Sequence, residues 1–148
     1  MGRTPNRLPD YLGPHIYLLP FLTGSMTLND STTYVWAFST GGYGAGGTPT
    51  TANLLYFPNN GKIISCLLTH WSTNVPTNEN CSFYVRINGT TDHLLKTSGL
   101  TQFNNWLIEN LNINIAKGDY AQIKLITPAW ATNPTGTRFS GYLFVKCV

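Results

Sequence analysis

Residues 81–97 read CSFYVRINGTTDHLLKT and contain the strongest fold signal of the chain. From Phe83 to Ile87, apolar and more polar side chains alternate, which is typical of a β-strand with one face in a core. Asn88-Gly89 follows at once, and both residue types tolerate the positive φ angles that a tight type I′ turn requires. The stretch therefore predicts an antiparallel hairpin centred on this turn.

Working outward from the hairpin, residues 32–148 consist of short apolar runs separated by turns rich in Gly, Pro and Asn. No segment has twelve residues of helical periodicity. Strands are predicted at 33–38, 53–57, 62–72, 81–87, 92–97, 105–115, 120–127 and 138–147. This pattern favours one all-β domain, an eight-stranded antiparallel sandwich with jelly-roll winding. An immunoglobulin-like sandwich is the structural alternative, but the Cys–Trp–Cys spacing expected there is missing.

Residues 1–31 differ in composition, because prolines recur at positions 5, 9, 14 and 20. Proline removes ladder donors and blocks helix propagation, so this segment is predicted to be an extended N-terminal arm outside the sheets. Its apolar middle needs a cover, which is either the domain's own surface or a neighbouring subunit. The second alternative predicts attachment through six side chains: Ile16, Tyr17, Leu18, Leu19, Phe21 and Leu22.

The charge pattern argues against two classes of partner. Charged residues make up only 10% of the chain, against about 25% in ordinary domains. The net charge of +3 comes from scattered Lys and Arg residues, whereas nucleic-acid readers usually carry a clustered basic face. The apolar run at 16–22 is far shorter than the roughly twenty residues of a membrane span. We therefore expect neither a nucleic-acid nor a membrane partner.

The sequence contains no recognisable catalytic or metal-binding constellation. Cys66, Cys81 and Cys147 form no CxxC pair, so they are expected to be free, buried thiols in a reducing compartment. The three histidines lack metal-ligand spacing, and the six carboxylates form no obvious acid–base pair. The glycine-rich loop at 41–47 lacks the helix that a phosphate site needs. We expect no enzyme activity, no cofactor and no metal.

Aromatic residues suggest two kinds of contact surface. Tyr34, Trp36, Tyr142 and Phe144 lie on the predicted first and eighth strands, which neighbour one another in jelly-roll winding, and they predict a homotrimer interface. Tryptophans in a sandwich serve as core anchors or, in a sugar-binding protein, as stacking platforms. The candidate loop contacts of that second kind are Tyr43, Trp71 and Trp130.

Several motifs resemble a known group of viral proteins. They are NLLYFPNNGKI at 53–63, TNEN at 77–80, VRINGTTD at 85–92, AKGDY at 116–120 and TPAWATNP at 127–134. The stretch from about residue 52 to 145 resembles the short jelly-roll modules of tailed-phage virion proteins, which are head decoration (cement) proteins or fibre tips. Such modules commonly form trimers, with a topology similar to the tumour-necrosis-factor and complement C1q heads.

The resemblance implies a non-enzymatic capsid decoration protein, assembled in the host cytoplasm and bound to the major capsid protein or another virion protein. The alternative is a receptor- or glycan-binding module at a tail or fibre tip, which would bind a host surface glycan. A virion-bound hydrolase acting on polysaccharide is a third and weaker hypothesis, because no pair of carboxylates is selected for it.

Overall fold

The computed structural model describes residues 15–38, 54–75 and 79–147, together with the backbone of 43–44. These residues form an all-β structure, as predicted. The ten strands are β1 (Ile16–Leu22), β2 (Thr33–Ala37), β3 (Tyr43–Gly44), β4 (Gly61–Trp71), β5 (Asn80–Ile87), β6 (Thr91–Gly99), β7 (Phe103–Ile108), β8 (Ile113–Ile115), β9 (Ala121–Ile126) and β10 (Arg138–Cys147). Within the described ranges, no helix has the length and apolarity needed to cross a membrane.

The strands form two antiparallel sheets. The front sheet has the order β1-β10-β4-β7, with β8 also paired to β4. The back sheet has the order β3-β2-β9-β5-β6. Aromatic side chains join them: the ring of Phe139 in β10 lies 5.7 Å from that of Trp36 in β2 and 5.4 Å from that of Phe83 in β5. The prediction of a two-sheet sandwich is therefore confirmed.

The hairpin predicted around Asn88-Gly89 is present between β5 and β6. Asn88 and Gly89 have φ values of 51° and 68°, so both lie in the left-handed region that this turn requires. Asn88 also fastens the hairpin to the neighbouring β8–β9 turn, because its side-chain amide donates to Asp119 Oδ1 at 2.7 Å. Its Oδ1 accepts the backbone N–H of Tyr120 at 3.0 Å.

Three strand predictions need correction. The predicted strand at 53–57 is wrong, since its described residues make only the single bridge Tyr56↔Tyr120. The predicted strand at 105–115 is divided into β7 and β8, because Asn110 adopts a left-handed φ of 59° that interrupts the extended chain. The short strand β3 lies within the glycine-rich loop at 41–47, where no strand is predicted.

The expectation that the whole N-terminal arm stands outside the sheets is wrong for residues 16–22. This stretch is β1, which pairs with β10 over its full length, from Ile16↔Lys146 to Leu22↔Ser140. Pro20 is tolerated because β1 is an edge strand, where a residue without an N–H costs no ladder bond on its open side. Residues 1–14 lie outside the described part of the chain.

The three cysteines are free and buried, as their isolated positions predict. Burial raises the pKa of the thiols of Cys66 and Cys81 to about 12. They therefore pack as small apolar side chains in the two sheets.

Candidate assembly face

The predicted trimer set is split between the two sheets. Tyr34 and Trp36 lie in β2 of the back sheet and are 2% and 1% exposed, whereas Tyr142 and Phe144 lie in β10 of the front sheet. The two strands are not neighbours, because β10 pairs with β1 and β4 instead. Tyr34 stacks on Trp36 with a centroid separation of 5.7 Å, and its hydroxyl accepts the N–H of Asn29. Both aromatics are core residues, so the prediction of a shared surface is wrong for this half of the set.

The predicted attachment set is divided by strand alternation. Leu19 and Phe21 point into the sandwich and are buried, and the ring of Phe21 meets that of Phe38 edge-on at 5.5 Å. Tyr17 lies on the same inward side and is half-buried. The outward residues Ile16, Leu18 and Leu22 are exposed. Half of the set therefore seals the chain's own core, and the other half is open to contact.

The exposed halves of both sets lie on one surface, the outward side of the front sheet. Along β1 and β10, Leu18 pairs with Phe144 and Pro20 pairs with Tyr142. The second of these rows continues through Leu67 of β4 to Leu107 of β7, so apolar side chains cross all four strands. We call this surface the front face; its apolar members are Ile16, Leu18, Pro20, Leu22, Leu67, Trp71, Phe103, Leu107, Tyr142 and Phe144.

The front face is large enough to matter for association. Eight residue steps separate Arg138 from Lys146 along β10, which at about 3.4 Å each gives a length of about 27 Å. Four strands spaced about 4.8 Å apart give a width of about 14–19 Å, so the area is roughly 400–500 Å². Patches of that size on single chains are often functional. Two adjoining shallow grooves, of about 330 and 280 Å³, share the residues Leu22, Thr69 and Ser140.

Charged groups lie only at the margin of the front face. Lys62 and Lys146 occupy one end, where Lys62 Nζ donates to Asn112 Oδ1 at 2.9 Å. Arg138 occupies the other end, and its guanidinium lies 5.9 Å from the ring centroid of Trp71. Glu109 is exposed just beyond the end of β7. An uncharged polar row of Ser140, Thr69 and Asn105 lies between the Tyr142 and Trp71 rows, so the charges alone are confined to the margin, as is usual in a protein–protein contact surface.

The three predicted loop contacts have different positions. Trp71 is the last residue of β4, is 39% exposed and belongs to the front face. Trp130 is buried in the hydrophobic core, and its backbone N–H donates to Asp30 Oδ1 at 3.0 Å. Tyr43 is in β3, but its side chain lies outside the described residues. Of the two members whose side chains are described, Trp71 is the exposed one.

Four of the carboxylates have structural bonds. Asp92 pairs with Arg86 Nε at 3.1 Å and with Lys124, Asp30 accepts from Trp130, and Glu79 accepts the N–H of Ala131. Asp119 accepts the N–H of Ala116 at 2.7 Å and so closes the β8–β9 turn. Among the described residues, no three His, Cys, Asp or Glu side chains are grouped as metal ligands would be.

A buried Ser–His–Asn arrangement was not anticipated from the sequence. His70 Nε2 lies 2.7 Å from Ser72 Oγ, and its Nδ1 lies 3.1 Å from Asn104 Oδ1. These bonds match those of an activated nucleophile, but Ser72 and His70 both have 0% exposure and no substrate carbonyl reaches them in this fold. The inward position of His70 in β4 indicates its burial, and Ser72 is only two residues away, but Asn104 comes from a distant part of the chain.

Sequence reasoning also missed Leu67, Leu107 and Phe103 as surface residues. In β7 both sides carry large apolar side chains, so alternation alone does not show which side faces the core. The register with β4 decides it, because Trp106 pairs with the buried Leu68 and Leu107 pairs with the outward Leu67.

Comparison of this chain with known proteins found no matching family model, no matching curated protein and no matching solved structure.

Proposed function

We propose that this chain is a non-enzymatic structural subunit of a virion, a capsid decoration protein that assembles as a homotrimer through its front face. The observation that carries the proposal is the apolar row from Pro20 through Tyr142 and Leu67 to Leu107, which crosses an otherwise solvent-exposed sheet. Such a row is unfavourable on an isolated chain and becomes stabilising when another surface covers it.

The strand pairing supports a jelly roll as the specific form of the sandwich. When β3 is set aside and β7 and β8 are counted as one strand, eight strands remain in chain order. The first pairs with the last (β1–β10), the second with the seventh (β2–β9), the third with the sixth (β4–β7) and the fourth with the fifth (β5–β6). Nested pairing of this kind is what winding one antiparallel ribbon into two sheets produces.

The size of the front face supports association of several copies. A standard stable interface buries about 800 Å² on each partner, so roughly 400–500 Å² provides more than half of one such contact. In the proposed trimer, each copy covers the front face of the next, so a closed ring of three leaves no copy with an open apolar row. The margin of Lys62, Lys146, Arg138 and Glu109 then lies where water still reaches it.

The oligomeric state is tested with a pair of matched substitutions. Leu107 in the front face and Leu94 in β6 of the back sheet are exposed leucines with nearly equal exposure, 58% and 57%. Sedimentation of Leu107→Lys is expected to show at least a tenfold weaker trimer, because a charge enters the apolar row. Leu94→Lys is the control and should sediment like the unchanged protein. A stable monomer for the unchanged chain at micromolar concentration overturns the assembly proposal.

The virion assignment is tested separately by quantitative mass spectrometry of purified phage particles. Hundreds of copies per particle are expected for a decoration protein on the capsid surface. A few copies per particle would place the chain in a tail or fibre tip instead. Absence from the particle contradicts both assignments.

One observation favours the receptor- or glycan-binding alternative. Trp71 is exposed at the end of the front face, beside the guanidinium of Arg138 and the groove that contains the hydroxyls of Thr69 and Ser140. An aromatic ring with neighbouring hydrogen-bonding groups is suited to sugar binding. Binding on a glycan array that is lost in Trp71→Ala supports this alternative, and an array without binding contradicts it.

A further inference from the structure

A chain of buried hydrogen bonds crosses one end of the sandwich, and none of its members belongs to the front face. It runs from Asn104 at the start of β7 through His70 and Ser72 to Thr137, which immediately precedes β10. The two hydroxyl groups at its far end, Ser72 Oγ and Thr137 Oγ1, lie 2.9 Å apart. His70, Ser72 and Thr137 all have 0% exposure, so water does not compete for these bonds.

The direction of every bond in this chain follows from one backbone contact. Asn104 Oδ1 accepts the N–H of Thr101 at 2.9 Å, which identifies that atom as the amide oxygen. His70 Nδ1 therefore carries the ring proton and donates it to the same oxygen at 3.1 Å. The other ring nitrogen, Nε2, is then an acceptor, and Ser72 must donate its only hydroxyl proton to it. Thr137 in turn donates to Ser72 Oγ.

The last member of the chain belongs to a segment, residues 134–137, that bonds to two other connecting stretches. Residues 134–137 lie between the stretch that follows β1 and the stretch that follows β4. Thr137 exchanges two backbone bonds with Met26, at 3.0 and 2.8 Å, and Pro134 O accepts the N–H of Leu28 at 2.9 Å. On the other side, Thr135 O accepts the N–H of Thr73 at 3.0 Å. We call residues 134–137 the clasp. The hydroxyl of Thr137 connects it, through Ser72, to the buried His70.

We propose that the chain Asn104–His70–Ser72–Thr137 is a proton-sensitive latch, in which uptake of a proton by His70 opens the clasp of residues 134–137. A protonated Nε2 becomes a donor to Ser72 Oγ. Ser72 must then turn its proton toward Thr137, and the hydroxyl of Thr137 loses the acceptor that it had. The reversed chain leaves an unpaired donor and an imidazolium in a buried site, and both are costly.

Among the described residues, the strands around His70 contain no anion that could compensate that charge. Its ring packs on Phe139 at 5.1 Å, and the strands around it are β4, β7, β10, β2 and β5. None of these strands contains Asp or Glu. Their titratable or basic residues, His70 aside, are Lys62, Cys66, Arg138, Tyr142, Lys146, Cys147, Tyr34, Cys81, Tyr84 and Arg86.

The direction of the pH dependence follows from burial. Burial lowers the pKa of His70 to about 4, and the hydrogen bond to Asn104 offsets only part of this effect. In the opened clasp the imidazole meets water and regains its ordinary pKa of about 6.5. The open form therefore binds the proton first as the pH falls below about 6.5, so the closed form is progressively lost until about pH 4.

The test is backbone hydrogen exchange on the full chain, corrected for the intrinsic effect of pH. Protection of the clasp, residues 134–137, and of the stretch bonded to it, residues 23–28, is expected to fall about 40-fold more than that of the hairpin at 81–97 between pH 6.5 and 4.5. His70→Gln keeps an acceptor toward Ser72 without a titrating ring and should abolish this difference. His93→Gln, at a half-buried histidine of β6, is the matched control and should retain it.

An equal loss of protection in the clasp and the hairpin overturns the latch, as does an unchanged loss in His70→Gln. If that variant does not fold, nitrogen NMR of the unchanged protein still decides. The expected signature is a neutral His70 ring with its proton on Nδ1 and no titration above about pH 5. A proton on Nε2, or titration near pH 6.5, contradicts the proposal.

Discussion

The place of β1 in the fold is tested most directly by replacing Phe21 with alanine. This side chain is 3% exposed, lies edge-on to Phe38 and sits above Gly141, whose paired position leaves no room for a further carbon atom. Removal of a fully buried phenylalanine costs about 3–5 kcal/mol, and we expect about 3–4 kcal/mol because this residue lies in an edge strand. For a chain of this size, that loss lowers the melting temperature by roughly 6–16 °C.

Chemical denaturation of Phe21→Ala and of a matched control measures this cost. Leu94→Ala changes a leucine of β6 that is 57% exposed and lies outside the front face. Its expected cost is below about 0.5 kcal/mol, so the two variants separate core packing from surface exposure. A loss below about 1 kcal/mol for Phe21→Ala would refute the reasoning, because β1 would then contribute little to the stability of its own domain.

Three further perturbations have expected outcomes. In thermal unfolding, Gly89→Ala should lower the free energy of unfolding by about 1–2 kcal/mol, because its φ is 68° and the new carbon would lie 2.9 Å from a tyrosine hydroxyl. Gly118→Ala has a φ of 89° but open space around the new carbon, so its loss should be smaller. Equal losses in the two variants would contradict the steric argument. Asp92→Asn removes two ion pairs on the back sheet and should cost about 1 kcal/mol or less in urea unfolding, with a smaller cost in high salt. A thiol reagent at pH 8 should leave Cys66 and Cys81 unmodified until the protein is denatured, because burial raises the pKa of both thiols to about 12. Rapid labelling of these two cysteines in the folded chain would contradict their burial.

The sequence predicts those elements whose signal is local. The hairpin around Asn88-Gly89 is specified by two neighbouring residues and by alternation on either side, so its position needs no tertiary information. The strand at 53–57 fails for the opposite reason. Its apolar residues meet the local criteria for a strand, but only Tyr56 finds a bridge partner, and strand pairing depends on distant partners.

The assignment of surfaces from sequence was limited by a different ambiguity. Alternation shows that Leu18 and Leu19 face opposite sides, but it does not show which side is covered. Only the pairing of β1 with β10 settles that Leu19 faces the core and Leu18 faces outward beside Phe144. The same pairing separates Trp36 from Tyr142. The strand beside β10 is β1, whereas jelly-roll winding of the predicted strands puts the strand of Trp36 there, and that strand, β2, pairs with β9 instead.

The two outer faces of the sandwich differ in charge, and this difference supports the front face as the proposed docking surface. On the back sheet, Arg86, Asp92 and Lys124 form an ion-paired cluster, and Lys124 also lies over the ring of Tyr84 at 5.4 Å. Covering that surface would remove charged groups from water at considerable cost. The corresponding positions at the centre of the front sheet carry no charge, so covering them removes mainly apolar area from water.

β1 contributes both to the stability of its own domain and to the proposed assembly surface. Its inward residues stabilise the domain through Leu19 and Phe21, whereas its outward residues Leu18 and Leu22 enlarge the front face. A deletion of residues 16–22 would therefore remove core packing and docking surface together, and its effect on particle binding would have two causes. Only substitutions confined to one side of the strand distinguish a subunit that fails to fold from one that folds and fails to assemble.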